Sequence, residues 1–241
     1  MKAEVAQQRR LRELVEIDAD LARLSHRLKN IAEAAKVAEL TAACTAAEDE
    51  VASVGIALAD LDGSIAKLET EIEAVRKRED RDRSLLNSGV DGKQQAELAH
   101  ELETLERRQS DLEDAELEIM EQRETLAARQ TDADHTLHDR RLELADAEAA
   151  HDRARAELEE NLARRGAERA ELAGGVDADL LALYERQRAA NGIGAGVLQG
   201  NRCGACRIEM DRGEAARIAA AAADDVLRCP ECGAILLRVT G

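Results

Sequence analysis

Apolar residues recur through the first half of the chain at alternating steps of three and four. Leu14, Ile17, Leu21, Leu24, Leu28 and Ile31 form one run. Val37, Leu40, Cys44, Ala47, Val51, Val54, Leu58, Leu61, Ile65, Leu68, Ile72 and Val75 form a second. This spacing predicts helices with a coiled-coil seam and a left-handed supercoil. The runs are out of phase, since continuing the first would place seam residues at 35 and 38. A kink, stutter or break is therefore expected between Ile31 and Val37. The segment Leu86-Asn87-Ser88-Gly89-Val90-Asp91-Gly92 then interrupts the pattern with two glycines and small polar residues. Asp91 can cap the next helix, with Gln94 at the capping-box position. Beyond it, Leu98, Leu105, Leu112, Ile119, Leu126 and Ala133 recur at sevens, and Leu137, Leu144, His151 and Leu158 continue on a shifted phase.

A breaker midway between two arms of similar length favours an intramolecular antiparallel hairpin over a parallel dimer of one extended helix. The expected fold is mainly α. Residues 1–173 form a long, kinked, antiparallel coiled-coil helical hairpin with its tip near 87–92. Each arm of about 75 residues would reach on the order of 110 Å at the helical rise. Gly174-Gly175 closes the second arm. Asp177 can cap a short helix over about 178–190, with Asn191-Gly192 as its stop. Residues 194–199 and 234–239 read as short strands, and 212–223 as an Ala-rich helix.

Composition sharpens this division. Phe and Trp are absent and Tyr184 is the single aromatic, so a compact core of ordinary make-up is not expected over most of the chain. The one proline, Pro230, lies near the end of the chain. Net charge is -17. Residues 1–173 hold 42 acidic and 26 basic side chains, whereas 174–241 hold 9 and 8. Such a body should repel phosphate backbones and anionic membrane surfaces. The start of the chain runs directly into charged helix, so no signal peptide is expected, and no stretch has the length of a membrane span. Five cysteines, four of them in metal-ligand spacing, fit a reducing cytoplasm.

The chemistry is concentrated in Cys203-Gly-Ala-Cys206 and Cys229-Pro-Glu-Cys232. Two residues between thiols let both sulfurs of a pair face one ion from a tight turn, while backbone amides in that turn stabilise the thiolates. Gly233 supplies permissive backbone after the second pair, and Pro230 stiffens it. Two such pairs predict a four-thiolate structural Zn²⁺ site in a small ribbon domain with short β-strands over residues 174–241. Iron is the alternative ion for this geometry. Four protein ligands leave no open position for water, so no hydrolytic centre is expected.

Other residues carry weaker signals. Cys44 lies on the first seam and reads as a small buried hydrophobe. Glu97-Leu-Ala-His100 and Glu148-Ala-Ala-His151 match a di-iron helix motif, but at 51 residues apart on one helix they cannot share a site. His135 and His138 read as part of a solvated face. Gly192-Ile-Gly-Ala-Gly196 lacks the strand and helix that a dinucleotide loop requires. The Glu and Arg runs read as solvated helix surface with i,i+4 pairs.

Taken together, the chain resembles the bacterial coiled-coil hairpin proteins that carry a C-terminal C4-type zinc ribbon. The resemblance lies in Leu180-Leu181-x-x-Tyr184-Glu185-Arg186, the Gly-rich strand, Cys203-Gly-Ala-Cys206, and Val226-Leu227-Arg228-Cys229-Pro230-x-Cys232-Gly233. Leu112 to Glu121 adds a fainter match on the second arm. The resemblance implies a bent antiparallel hairpin, a zinc-bound ribbon and no known enzymatic activity. It also implies a metal role for Cys203, Cys206, Cys229 and Cys232. Some relatives are linked to flagellar or type III secretion components and to an alternative sigma factor, and one branch to messenger RNA.

The function expected from these observations is that of a non-enzymatic cytoplasmic adaptor or chaperone-like protein. Its partners would be other proteins, docked on the hairpin and the ribbon, with no small-molecule substrate, no catalytic residues and no membrane. The alternative is a nucleic-acid-binding regulator acting through the ribbon, where Arg202, Arg207, Arg212, Arg217 and Arg228 cluster. A near-neutral tail without base-stacking aromatics argues against it.

Overall fold

The computed structural model describes residues 1–238. The elements are α1 (Val5–Lys29), α2 (Glu33–Asn87), α3 (Gly92–Gly174), α4 (Ala178–Asn191), β1 (Ala195–Val197), α5 (Arg212–Ala220), β2 (Leu227–Arg228) and β3 (Ile235–Leu237). They fall into two compact units, Met1–Ala34 with Ala150–Gly241, and Ala35–Ala149.

The unit of residues 35–149 is the antiparallel pair of α2 with the first part of α3. Its turn lies where the breaker residues predict it. Gly89 takes a φ of +87°, which a side chain would resist. Asp91 Oδ1 accepts from the Lys93 and Gln94 amides at 3.0 and 2.9 Å, starting α3. Seam residues Leu40, Cys44, Val54 and Ile72 are buried on α2, and Leu105, Leu112, Ala133 and Leu137 on α3. Ion pairs flank the seam: Glu48 with Arg141, Glu50 with Arg129, Glu71 with Arg108, Arg76 with Glu113 and Arg83 with Glu106. From Glu48–Arg141 at one end to Arg83–Glu106 near the turn the α3 partner falls from 141 to 106, with Arg76–Glu113 the one step against that trend, so the charges are compatible with the antiparallel register. Being exposed, each pair contributes little on its own.

The phase change between the two seam runs is a true helix break. α1 ends at Lys29 and α2 starts at Glu33, so residues 30–32 separate them. Asn30 Nδ2 donates back to the His26 carbonyl at 2.9 Å, holding the end of α1. Basic His26, Arg27 and Lys29 in the last turn suit the negative end of the helix dipole.

The unit of residues 1–34 and 150–241 joins α1, the end of α3, α4 and the sheet. The sheet order is β1-β3-β2, with β1 parallel and β2 antiparallel to β3. Leu11 and Leu14 of α1 share one core with Leu180 and Tyr184 of α4, Ala195 of β1, and Ile235 and Leu237 of β3. Apolar residues of α1 thus pack with the sheet rather than only along the hairpin seam. The N-terminal segment continues this union. Ala3 N donates to Asp224 O at 2.8 Å, Val226 N donates to Met1 O at 3.0 Å, and Lys2 pairs with Asp224 at 2.8 Å.

α4 follows its sequence signals, with the Asp177 carboxylate accepting from the Asp179 and Leu180 amides and Gly192 in the left-handed region at its end. α5 is shorter than expected, stopping at Ala220. After an extended Ala221 the chain turns at 223–224, held by the N-terminal segment and by Arg238, whose guanidinium donates to the carbonyls of Ala221, Ala222, Ala223 and Asp225. β3 covers the middle of the expected closing strand, and Val239 lies outside the described residues.

Candidate metal centre

Two backbone turns of the same design present the four cysteines. In the first, Arg207 N donates to Cys203 O at 2.9 Å and Cys203 N donates to Ile208 O at 3.1 Å. In the second, Gly233 N donates to Cys229 O and Cys229 N donates to Ala234 O, both at 2.9 Å. The residue after the second cysteine of each turn has positive φ, +62° at Arg207 and +73° at Gly233. Glycine accepts that conformation freely and arginine does not. The carbonyl of Arg207 is held there by Arg202 Nε at 2.6 Å.

Close backbone approach fixes the first turn against β1. A Cβ at Gly204 would lie 2.2 Å from Val197 O, and one at Gly196 would lie 2.4 Å from Ala205 N. The second turn is held by α4. Asn191 Nδ2 donates to Cys232 O at 2.8 Å. With its amide oriented so that the nitrogen faces Gly233 O, the buried Gln187 donates to that carbonyl at 3.3 Å and accepts from Arg228 at 3.1 Å.

These turns bring the sulfurs of Cys203, Cys206, Cys229 and Cys232 within 4.8 Å of one another. Cys203 and Cys232 lie 3.9 Å apart, as do Cys206 and Cys229. Sulfurs about 2.3 Å from a tetrahedral zinc ion would sit roughly 3.8 Å apart, so the spacing fits that ion. The electrostatics agree. Burial pushes the Cys203 thiol up, and burial pushes Cys232 up to about 12, whereas the backbone amide of Ile208 pulls Cys206 down. A buried thiolate cluster is stable only when a cation balances it. The Ala205 amide, 3.4 Å from the Cys203 sulfur, supplies a donor to a thiolate. Met210, Ile218 and Leu236 pack around the cysteines, with Cys203 and Cys229 buried and Cys206 and Cys232 half-buried. Among the described residues no other group of three or more Cys, His, Asp or Glu side chains lies close enough to share an ion. His100, His135 and His138 are exposed on α3, and Cys44 is a buried seam residue.

Sequence reasoning missed a polar cluster in the same unit. Asp18, 7 % exposed on α1, receives Arg169 Nε at 2.7 Å, Arg188 at 3.0 Å and the Tyr184 hydroxyl at 2.6 Å. Glu185 pairs with both arginines. The cluster ties α1, α3 and α4 together beneath the ribbon. Tyr184, as the single aromatic of the chain, was the available signal. Asp18 gave none, since an acid beside a heptad seam ordinarily faces water.

Comparison with known proteins gives two family matches along the chain. The CT398-like coiled coil hairpin domain matches residues 14–192, and the C4-type zinc ribbon domain matches residues 202–236. An uncharacterized protein of Mycobacterium tuberculosis is 53% identical over 100% of this chain and 99% of its own length. One of Mycobacterium leprae is 38% identical over 92% of this chain and 96% of its own. A solved structure from Mycobacterium smegmatis is 53% identical, with a TM-score of 0.91 over 99% of this chain and 100% of that one. The CT398 structure from Chlamydia trachomatis shares the fold at 17% identity, with a TM-score of 0.58 over 97% and 98% of the two chains. The chain belongs to the CT398-like coiled-coil hairpin family and carries a C4-type ribbon suited to one structural zinc ion.

Proposed function

We propose that this family member is a non-enzymatic cytoplasmic adaptor. The hairpin of residues 1–173 and the ribbon of residues 174–241 act as its two protein-docking parts. Cys203, Cys206, Cys229 and Cys232 are the ligands of its zinc. The observation that carries this reading is the four-sulfur site, whose cluster meets at β3 the separate core that α1 shares with the sheet. Four thiolates complete a tetrahedral ion and leave it nothing to activate, so its role is to hold shape. Both matching domain types are structural modules by description. Among the described residues no helix is long and apolar enough to cross a membrane.

A nucleic-acid role for the ribbon draws less support. Three of the five clustered arginines are already engaged. Arg202 Nε donates to a backbone carbonyl, Arg228 Nε donates to Gly233 O, and Arg217 pairs with Glu214. Arg217 has its charge balanced by Glu214, while Arg202 and Arg228 keep theirs with Nε fixed to a carbonyl, so the patch offers phosphate fewer than five free cations.

The test is affinity capture of the tagged protein from its own cells, with and without nuclease, beside a Cys203→Ser, Cys232→Ser variant. Protein partners that survive nuclease are expected. Recovery of mainly RNA or DNA, with proteins vanishing after nuclease, would replace the adaptor reading with the regulator reading.

A further inference from the structure

The middle of the α2–α3 pair differs from both ends of its seam. Between Val54 and Ile72 on α2, and between Leu112 and Ala133 on α3, no described side chain is fully buried. Leu58, Leu61, Ile65 and Leu68 of α2 are only partly covered, as are Ile119 and Leu126 of α3. Beside them Leu117 and Met120 stand 59 % and 48 % exposed. Three apart on a helix, these two share a face. With Ile65 and Ala127 they line a shallow groove of about 520 Å³.

The rim of this groove is acidic. Residues 111–124 hold seven carboxylates and one base, and residues 60–73 hold five and one. Arg123 is taken up by Asp62. Glu69, Glu116, Glu121 and Glu124 line the groove, and none has a basic partner among the described residues. An apolar strip ringed by unpaired carboxylates complements one kind of surface: a helix with apolar residues on one face and Lys or Arg beside them. A third helix would also complete the burial that two helices leave unfinished here.

We propose that the groove around Leu117 and Met120 docks a basic amphipathic helix of a partner protein. Leu117, Met120 and Ile65 receive its apolar face, and the four free glutamates receive its cations. This assignment rests on the adaptor reading and gives it a place and a partner chemistry. Charge speeds and orients the encounter, while the apolar contacts hold the complex.

The probe is a labelled synthetic helix with Leu at every third or fourth position and Lys and Arg on either side. The control is a scrambled peptide of the same composition. Binding to the full zinc-loaded chain is read by fluorescence anisotropy across a salt series. The ordered peptide should bind, weaken as salt rises, and bind about tenfold less to a Leu117→Gln, Met120→Gln variant. Both residues are exposed, so the variant should keep wild-type circular dichroism. Ile56→Gln, at a 66 % exposed position elsewhere on α2, should leave binding unchanged. Equal binding of the scrambled peptide, or undiminished binding to the double variant, would overturn the proposal by reducing the groove to a diffuse acidic field. Self-association of the wild type that the double variant abolishes would overturn it too, giving the face to a second copy. Cellular partners retained by the double variant would refute this groove while leaving the adaptor reading intact. Loss of all protein partners from the wild type would refute that reading itself.

Discussion

Two residues show how local chemistry was placed. Tyr184 lies in the core of the ribbon unit, with its hydroxyl donating to the Asp18 carboxylate at 2.6 Å. Burial first, and that hydrogen bond second, push its ionisation well above the ordinary tyrosine range. A raised folded-state pKa means the stabilisation is complete below the unfolded value near 10 and is lost as pH rises above it. Since Tyr184 is the only tyrosine and tryptophan is absent, ultraviolet absorbance reports this one group. Tyrosinate should appear only together with unfolding at alkaline pH, and free titration near pH 10 in the folded protein would contradict the buried bond. Arg207 shows the reverse case, an unfavourable conformation retained. It occupies the position that Gly233 fills in the second turn, at φ +62°. Arg207→Gly should relieve about 1 kcal/mol of left-handed strain. Tighter zinc binding in a chelator competition is the expected result, because the Arg202 bond is made to the backbone and survives the change.

Among the elements, α2 departs from its own pattern near the turn. The heptad that runs through Ile72 and Val75 continues onto Glu79 and Asp82, which are 3 % and 6 % exposed. Arg83 satisfies one oxygen of Glu79 at 3.0 Å, and the other has no partner. A buried unpaired oxygen costs about 1–3 kcal/mol. Glu79→Leu should therefore raise the thermal midpoint and slow hydrogen exchange over residues 75–102. A lower midpoint would mean that the Arg83 pair outweighs the orphaned oxygen. Glu79 and Asp82 keep the heptad spacing, yet spacing alone does not mark them as seam, since carboxylates are expected to face water.

For the whole molecule, zinc matters beyond the ribbon. Met210, Ile218 and Leu236 pack on the cysteines, while Ile235 and Leu237, beside Leu236 on β3, pack on α1 and α4. Metal binding and folding are coupled in such modules. Chelation should raise hydrogen exchange in α1 and α4 as well as in the sheet, and leave residues 35–149 protected. Exchange confined to residues 200–237 would return the ribbon a core of its own.

Heptads, breaker glycines, helix caps and cysteine spacing act over a few residues, so the sequence alone determined the helices, the turn near Gly89, the break before α2 and the four clustered sulfurs. Each of these follows from local backbone preference or from apolar spacing on a single helix. The tertiary structure alone decided that α1 roofs the sheet, that Met1–Ala3 pairs with residues 224–226, and that Asp18 gathers Arg169, Arg188 and Tyr184. It also decided which arginines of the ribbon are spent on carbonyls and which apolar residues of the middle seam stay open. The first three of those outcomes join residues more than a hundred positions apart. They depend on which faces meet after the helices have formed, and no short-range pattern encodes that.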